Sequence, residues 1–224
     1  MSLTNAARLL SLTGNGAALD EWAGELATMA DEQGFLLWRA AGIIFRGWVR
    51  VNTGDVAEGI SLLHRGLAAY RATGAQAWVP YQIGLLARAY EIVGQIEEAL
   101  DLLDDSLEIV ERTGERWLIA ELYRHKGQLL LRQDHTEAAE ELYRSALSIA
   151  QEQEAKLWEL RAAVSLARLW RDRDNRAEAR DLLAPVYGWF TEGFDTPDLK
   201  EAKALLDELG SGQPTRRRRQ CAGF

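Results

Sequence analysis

Histidine is the side chain most often used for proton transfer and metal binding near neutral pH, and the sequence contains three, at positions 64, 125 and 135. No two of them are four residues apart and no H-E-x-x-H motif is present, so no pair shares a helix face to bind zinc. His135 falls where a helix is expected to start, which predicts a capping role. His64 and His125 are predicted to lie on helix surfaces.

Other motifs that would support catalysis are missing from the sequence. It has no G-x-x-x-x-G-K-[ST] phosphate loop, no nucleophile elbow and no cysteine–histidine pair. Cys221 is the only cysteine, which excludes an intramolecular disulfide and a cysteine-based zinc site. Neighbouring acids such as Asp104 and Asp105 are equally expected on a solvated helix face. We therefore expect a non-enzymatic protein without a cofactor or a metal ion.

The charge of the chain limits its partners. The formal net charge is −8, and residues 211–224 carry four arginines, Arg216 to Arg219, and no acid, so the rest of the chain is near −12. A body this acidic repels nucleic acid, and no run of eighteen apolar residues is present to span a membrane. We expect a cytoplasmic protein in which 211–224 is a disordered basic tail.

Columns of similar residues recur every forty residues, and this repetition carries most of the information about the fold. Glycine occupies positions 34, 74 and 114, and again positions 14, 54 and 94, where the column continues with aspartate at 134 and 174. A small residue followed four positions later by a large one occurs four times: Gly59 and Leu63, Ala99 and Leu103, Ala139 and Tyr143, Ala179 and Leu183. Further columns hold Trp38, Trp78 and Trp158; Gly47, Ala87, Gly127 and Ala167; and Leu67, Leu107, Leu147 and Tyr187.

Each unit is predicted to form two helices, roughly 35–52 and 56–71 in the first full unit, with copies in the others. The glycines lie where a helix end favours a left-handed residue, and Asp55 and Asn175 are predicted N-caps. A small residue near the turn lets the two helices approach closely. These features are typical of tetratricopeptide repeats, which predicts an all-α, right-handed solenoid. A HEAT or armadillo array, with a period nearer forty, is the alternative.

The repeat register predicts where the units begin and end. We expect a partial unit at 1–33, full units at 34–73, 74–113, 114–153 and 154–193, and a capping helix at 196–209. The partial unit suggests a piece, or the end, of something larger, because a solenoid normally begins with a capping unit. Trp38, Trp78 and Trp158 recur with the period, so we expect them to pack in the core between units.

The stretch YGWFTEGFDTPDLKEAKALL, residues 187–206, combines aromatic, glycine and charged residues and is a candidate for either a catalytic loop or the end of the fold. The end of the fold is favoured, because Thr196 and Pro197 are typical of a helix start and the apolar positions that follow form one narrow stripe. That stripe consists of Leu199, Ala202, Leu205, Leu206 and Leu209. We expect Trp189, Phe190 and Phe194 to fill the space beneath this capping helix.

The first helices of a tetratricopeptide array line its concave surface, so one face of each is a candidate binding groove. This face is apolar and aromatic in the first units and rich in arginine in the later ones, with acids expected mostly elsewhere. Arginine binds a carboxylate in two-pronged fashion, which predicts an acidic peptide or a terminal carboxylate as partner. The candidate groove residues are Trp48, Asn52, Tyr81, Arg88, Arg124, Gln128, Arg132, Arg161, Arg168 and Arg171.

Several stretches carry a further resemblance. Residues 47–75, 111–131 (ERTGERWLIAELYRHKGQLLL), 157–172 (LWELRAAVSLARLWRD) and 187–209 resemble the C-terminal tetratricopeptide region of large bacterial signalling ATPases, many of which carry class III adenylate cyclase domains. The resemblance covers roughly residues 18–209 and implies a regulatory or partner-binding array without catalysis of its own. The alternatives are a small-molecule sensor that changes curvature on binding, arginines that only pair with neighbours in an unused groove, and, less favoured, an enzyme.

Overall fold

The computed structural model describes residues 3–14 and 16–211, which form helices, turns and short connections and contain no strand. Within this part of the chain no helix is long and apolar enough to cross a membrane, and no cluster of three or more His, Cys, Asp or Glu is arranged to hold a metal ion. The helices are α1 Leu3–Thr13, α2 Gly16–Gln33, α3 Leu36–Asn52, α4 Val56–Ala72, α5 Val79–Ile92, α6 Ile96–Thr113, α7 Ile119–Arg132, α8 Thr136–Glu152, α9 Lys156–Asp172, α10 Arg176–Gly188 and α11 Pro197–Ser211.

Consecutive helices pack as antiparallel hairpins, α3 with α4, α5 with α6, α7 with α8 and α9 with α10, and each hairpin contacts the next. The repeated columns form the interface between the two helices. Ala99, Ala139 and Ala179 are fully buried, and Leu103 and Leu183, four residues after two of them, are buried as completely. The prediction of a helical solenoid built from hairpins is therefore confirmed, and these small and large column residues lie in its core.

The turns between helices use left-handed residues where the glycine columns predicted them. Gly34, Gly54 and Gly94 all have positive φ angles. Asp134 and Asp174, which stand in a glycine column, also have positive φ, at 62° and 63°. Aspartate is tolerated there because its short polar side chain costs less in this conformation than a branched or bulky one.

Side-chain capping, in contrast, was predicted wrongly. Asp55, His135 and Asn175 do precede α4, α8 and α10, but none of their side chains hydrogen-bonds to the helix. All three are exposed, so solvent is available to the first N–H groups of these helices.

Two first helices begin later than their predicted copies. α5 starts at Val79, because Trp78 adopts a left-handed conformation with φ of 68° and donates its N–H to the Glu115 carboxylate at 2.9 Å. α7 starts at Ile119 after a 3₁₀ turn, Arg116–Leu118. The displaced segments bring Trp117 against Trp78, with ring centroids 5.3 Å apart, and against Trp158 at 6.4 Å.

The aromatic residues near the first and last units are more exposed than predicted. Trp38 is 38% exposed and stands outside the contacts made by Trp78, Trp117 and Trp158. Trp189 and Phe194 are also exposed, so they do not fill the space beneath α11, whereas Phe190 packs against its core residues as predicted. The apolar stripe of α11 faces this core as predicted, and four of its residues are buried: Leu199, Ala202, Leu205 and Leu209. Ser211 ends α11, and the predicted basic tail beyond it lies outside the described residues.

Candidate functional site

A cavity of about 970 Å³ opens on the side of the array lined by the first helices. Its walls come from α3, α5, α7 and α9, and both the last turn of α1 and the first turn of α11 reach its rim. Because successive first helices share it, the cavity lies on the concave side of the solenoid; we call it the central cavity.

Seven of the ten residues predicted for the groove line the central cavity. They are Trp48, Asn52, Arg88, Arg124, Gln128, Arg161 and Arg168. Three do not. Tyr81 is buried beneath α1, where its hydroxyl hydrogen-bonds to Ser11. Arg132 and Arg171 lie beyond the cavity and pair with acids there, Glu91 and Glu208 respectively.

Most cavity arginines are already neutralised, which corrects the expectation that the acids lie elsewhere. Arg124 donates from Nε and Nη2 to the two carboxylate oxygens of Glu121, each at 2.8 Å. Arg161 makes a two-pronged contact with Asp198 of α11, at 2.6 and 2.9 Å, and approaches Glu121 at 3.5 Å. Arg168 pairs with Glu201, also of α11. Sequence reasoning missed both α11 acids because they belong to the cap and not to a repeat.

The Glu121 carboxylate interacts with three of the cavity arginines, Arg124, Arg161 and Arg88. Burial alone would raise its pKa, but the charge and hydrogen bonds of Arg124, together with Arg161 and Arg88, lower the pKa to about 2. Gln128 accepts a further hydrogen bond from Arg124 at 3.1 Å. The network therefore holds the arginine side chains in fixed directions.

Arg88 differs from the other cavity arginines. Among the described residues it makes no hydrogen bond and no ion pair, and its guanidinium carbon lies 5.5 Å from the centre of the Trp48 ring. Solvent reaches it through the cavity opening, yet protein surrounds it on most sides. This dehydration lowers the pKa of Arg88, Glu121 opposes the shift, and the positive charges of Arg124 and Arg161 add to it. Arg88 is thus the cavity cation with unused donors.

A second buried polar cluster links α5 to α7. His125 is buried, not on the helix surface as predicted, and its Nε2 lies 2.8 Å from a carboxylate oxygen of Glu91. Gln128 donates to the other oxygen of Glu91 at 2.7 Å, and Arg132 approaches from solvent at 3.4 Å. Burial lowers the pKa of His125 although Glu91 opposes the shift, with Arg124 and Arg88 favouring the neutral ring. His64 lies on the surface as predicted.

We expect His125 to make stability fall in mild acid. Its pKa is lower in the folded state, so the unfolded chain takes up the proton first; this contribution is intact above about pH 6.5 and is lost as the pH falls below that. Between pH 7.5 and 5.5 the wild type should lose about 1 kcal/mol more than His125→Gln, measured by urea unfolding. His135→Gln, at an exposed position, is the control and should follow the wild type. Parallel pH curves for His125→Gln and wild type would contradict the assignment.

One family model and one curated protein match parts of the sequence. A family model described as "Tetratricopeptide repeat" matches residues 75–152. An uncharacterised protein of Rhizobium meliloti (strain 1021) is 27% identical over 152 residues, which are 67% of this chain and 15% of that protein. The chain thus spans about 15% of the length of this relative.

Solved structures share the fold at low identity. BtubC from P. vanneervenii superposes with a TM-score of 0.64 at 16% identity, covering 95% of this chain and 96% of that one. A Rap protein in complex with Competence and Sporulation Factor gives 0.65 at 12% identity over 93% of this chain and 63% of that one. A Signal Transduction ATPase with Numerous Domains from Pyrococcus horikoshii, described as having a tetratricopeptide repeat sensor, gives 0.65 at 11% identity over 95% and 33%. The chain has the fold of a tetratricopeptide solenoid, a fold typical of protein-interaction modules.

Proposed function

We propose that this chain is a non-catalytic interaction module that binds a peptide or protein segment in its central cavity, as the sensory or scaffold region of a bacterial signalling system. The observation that carries the proposal is Arg88, an unpaired cation in a cavity of about 970 Å³ whose other arginines are held by acids. An unpaired cation in a cavity of this size supports a binding role.

The pairing of the other arginines specifies the partner more narrowly than a generally acidic peptide. Arg124, Arg161 and Arg168 already have carboxylates, so a highly charged peptide would meet their acids as well as their guanidinium groups. Arg88 has donors for one carboxylate, from an acidic side chain or a chain end, and Trp48, which also lines the cavity, lies beside it. The partner we propose carries one carboxylate next to an apolar residue.

Similarity to other proteins, and not the cavity itself, supports the signalling role. Residues 187–209 resemble the tetratricopeptide region of bacterial signalling ATPases and adenylate cyclase-type proteins, and a structurally similar protein is described as having a repeat sensor. The matched region is 15% of the Rhizobium meliloti relative, which leaves room in that protein for further domains. We propose that the array acts in the cytoplasm and biases whatever activity it is joined to.

Charge reversal at Arg88 tests the proposal. The probe is a panel of fluorescein-labelled twelve-residue peptides ending in an apolar residue with a free carboxylate, alongside the same peptides as C-terminal amides. We expect Arg88→Glu to weaken binding of the free-carboxylate peptides at least about tenfold in fluorescence anisotropy, because a bidentate charge-assisted contact becomes a repulsion.

Arg65→Glu is the matched control, since it makes the same charge change on the exposed surface of α4 away from the cavity. Its affinity should equal that of the wild type. Equal losses in both variants, or no binding by any peptide of the panel, would overturn the proposal. Arg124→Glu is unsuitable, because it would place two acids together in a buried network and disturb folding.

A small-molecule sensor is the second candidate, favoured by the mixed polar lining of the cavity around Glu121, Arg88 and Gln128. A metabolite with a carboxylate group that binds only the folded state would raise the melting temperature in a concentration-dependent way. A rise that is lost in Arg88→Glu, without any peptide binding, would favour this candidate over the first.

A further inference from the structure

Helix α1 lies across the concave face of the array. Ala6 and Ala7 are buried, at 4% and 0% exposure, while Leu9 on its outer side is 54% exposed. The guanidinium of Arg8 stacks on the ring of Trp78, 3.3 Å from its centre, and the hydroxyl of Ser11 pairs with that of Tyr81. α1 thus covers the part of the concave face where the sequence predicted an aromatic binding surface.

The end of α1 is held by the far side of the array. Arg161 of α9 donates from Nη2 to the carbonyl oxygen of Leu12 at 2.7 Å. This hydrogen bond satisfies a carbonyl group of the last helical turn that has no partner within the helix. Residues 10–14 line the central cavity, and the backbone at Gly14 approaches Pro197, the first residue of α11. α1 also packs against α2 and α3, so the surface that it uses includes these two helices, reaches α5 and α9, and joins the central cavity.

Two of the three buried side-chain polar atoms that lack a hydrogen-bond partner among the described residues lie beneath α1. Arg8 is 8% exposed, and among the described residues no carboxylate forms an ion pair with it; Asn5 of the same helix accepts its one hydrogen bond, at 2.9 Å. Its Nε and the Oε1 of Gln82 are buried without a hydrogen-bond partner. A buried cation and an unpaired acceptor both weaken an interface. α1 is thus bound less tightly than a helix whose buried polar groups were all paired would be.

We propose that α1 is an exchangeable occupant of the concave face, and that the partner of this array binds as an amphipathic α-helix in its place. The inference rests on the proposed function and specifies the partner. The partner helix has small residues where Ala6 and Ala7 pack, a polar group opposite the Tyr81 hydroxyl, and a last turn whose carbonyl faces Arg161. In the place of Arg8 the partner helix carries an uncharged residue, which removes the buried cation that has no carboxylate partner.

The α1 sequence itself is the probe. A fluorescein-labelled peptide LTNAARLLSLTG, residues 3–14, is titrated into the full chain carrying Ala7→Glu. This change drives the buried side of the resident helix from the surface and leaves the surface intact. In the wild type the resident helix competes at high effective concentration. We expect Ala7→Glu to bind the peptide at least about tenfold more tightly than the wild type does.

Leu9→Glu is the matched control, because it adds the same charge on the exposed side of the same helix. It should bind the peptide as weakly as the wild type. Equal peptide affinity for Ala7→Glu and wild type, with Ala7→Glu still folded by circular dichroism, would overturn the inference. If Ala7→Glu does not fold, hydrogen exchange of the wild type decides: amides of α1 should exchange well before those of α5, and exchange of both only by global unfolding would overturn it.

The two proposals fail in different ways. If the carboxylate peptides bind through Arg88 but the α1 peptide binds Ala7→Glu no better than it binds the wild type, the exchange of α1 is wrong and the interaction function stands. If the carboxylate peptides bind neither the wild type nor Ala7→Glu, the proposed function is wrong whatever the α1 peptide does.

Discussion

Replacement of Glu121 by glutamine is expected to lower the free energy of unfolding by about 3 kcal/mol, the lower end of the range for breaking a buried ion pair. The substitution keeps the shape of the side chain and removes its charge. Arg124, which donates two hydrogen bonds of 2.8 Å to this carboxylate, then remains as a buried cation without a carboxylate partner. Urea unfolding of Glu121→Gln against wild type at pH 7 measures the loss.

The pH dependence of that difference is a second readout. The pKa of Glu121 is lowered to about 2 in the folded state, so its contribution is present above its ordinary value near 4.5 and is lost as the pH falls from there toward 2. The gap between wild type and Glu121→Gln should therefore narrow between pH 5 and pH 3. Glu108→Gln, exposed on α6, is the control and should change stability by less than about 0.5 kcal/mol. A gap that does not vary with pH would refute the electrostatic explanation.

Gly59→Ala is expected to destabilise the first full hairpin by about 1–3 kcal/mol, although alanine favours a helix by about 1 kcal/mol over glycine. A Cβ at position 59 would lie 2.6 Å from a methyl group of Val51 and 2.8 Å from the carbonyl oxygen of Gly47. The second of these is backbone, so α3 and α4 would have to move apart. The melting temperature and the urea midpoint measure the effect.

Gly24→Ala should change the free energy of unfolding in the opposite direction in the same experiment. Gly24 lies in the interior of α2, and a Cβ there would meet no atom within 4 Å, so only the helix preference acts. We expect it to stabilise the protein by up to about 1 kcal/mol. If Gly59→Ala were also stabilising, the close approach of α3 and α4 would not be what requires glycine.

The contacts within each hairpin were predictable because they repeat. The same packing requirement applies in every unit, so a small residue near the turn and a large one four positions later occur four times. The pattern can be recognised from four copies, whereas one copy would not distinguish it from chance. Gly47 and Gly59 both stand in such columns, and the structure shows their helices in backbone contact. The left-handed turns follow for the same reason, since Asp134 occupies the column of Gly54 and Gly94.

Contacts that occur only once could not be predicted from the sequence. The partners of Arg161 and Arg168 are Asp198 and Glu201 of α11, which belongs to no repeat. The position of α1 depends on how far the array curves, which is the sum of small rotations between neighbouring units and leaves no local pattern. The groove face was therefore identified from the sequence, and seven of its predicted residues line the cavity. The pairing of Arg124 with Glu121 agrees with the alternative in which the arginines pair with neighbours, whereas the α11 partners of Arg161 and Arg168 were not predicted.

The hydrogen bond from Arg161 to Leu12 joins residues 149 apart in the sequence, across units that would be remote in an extended array. Repeat arrays with contacts only between neighbours fray: their outer units open first and the middle opens last. A bond between α1 and α9 links the first unit to the last full hairpin, so loosening of either side removes a support from the other. Loosening of α1 should accordingly be felt at Arg161 and at its α11 partner Asp198 without passing through every hairpin between them.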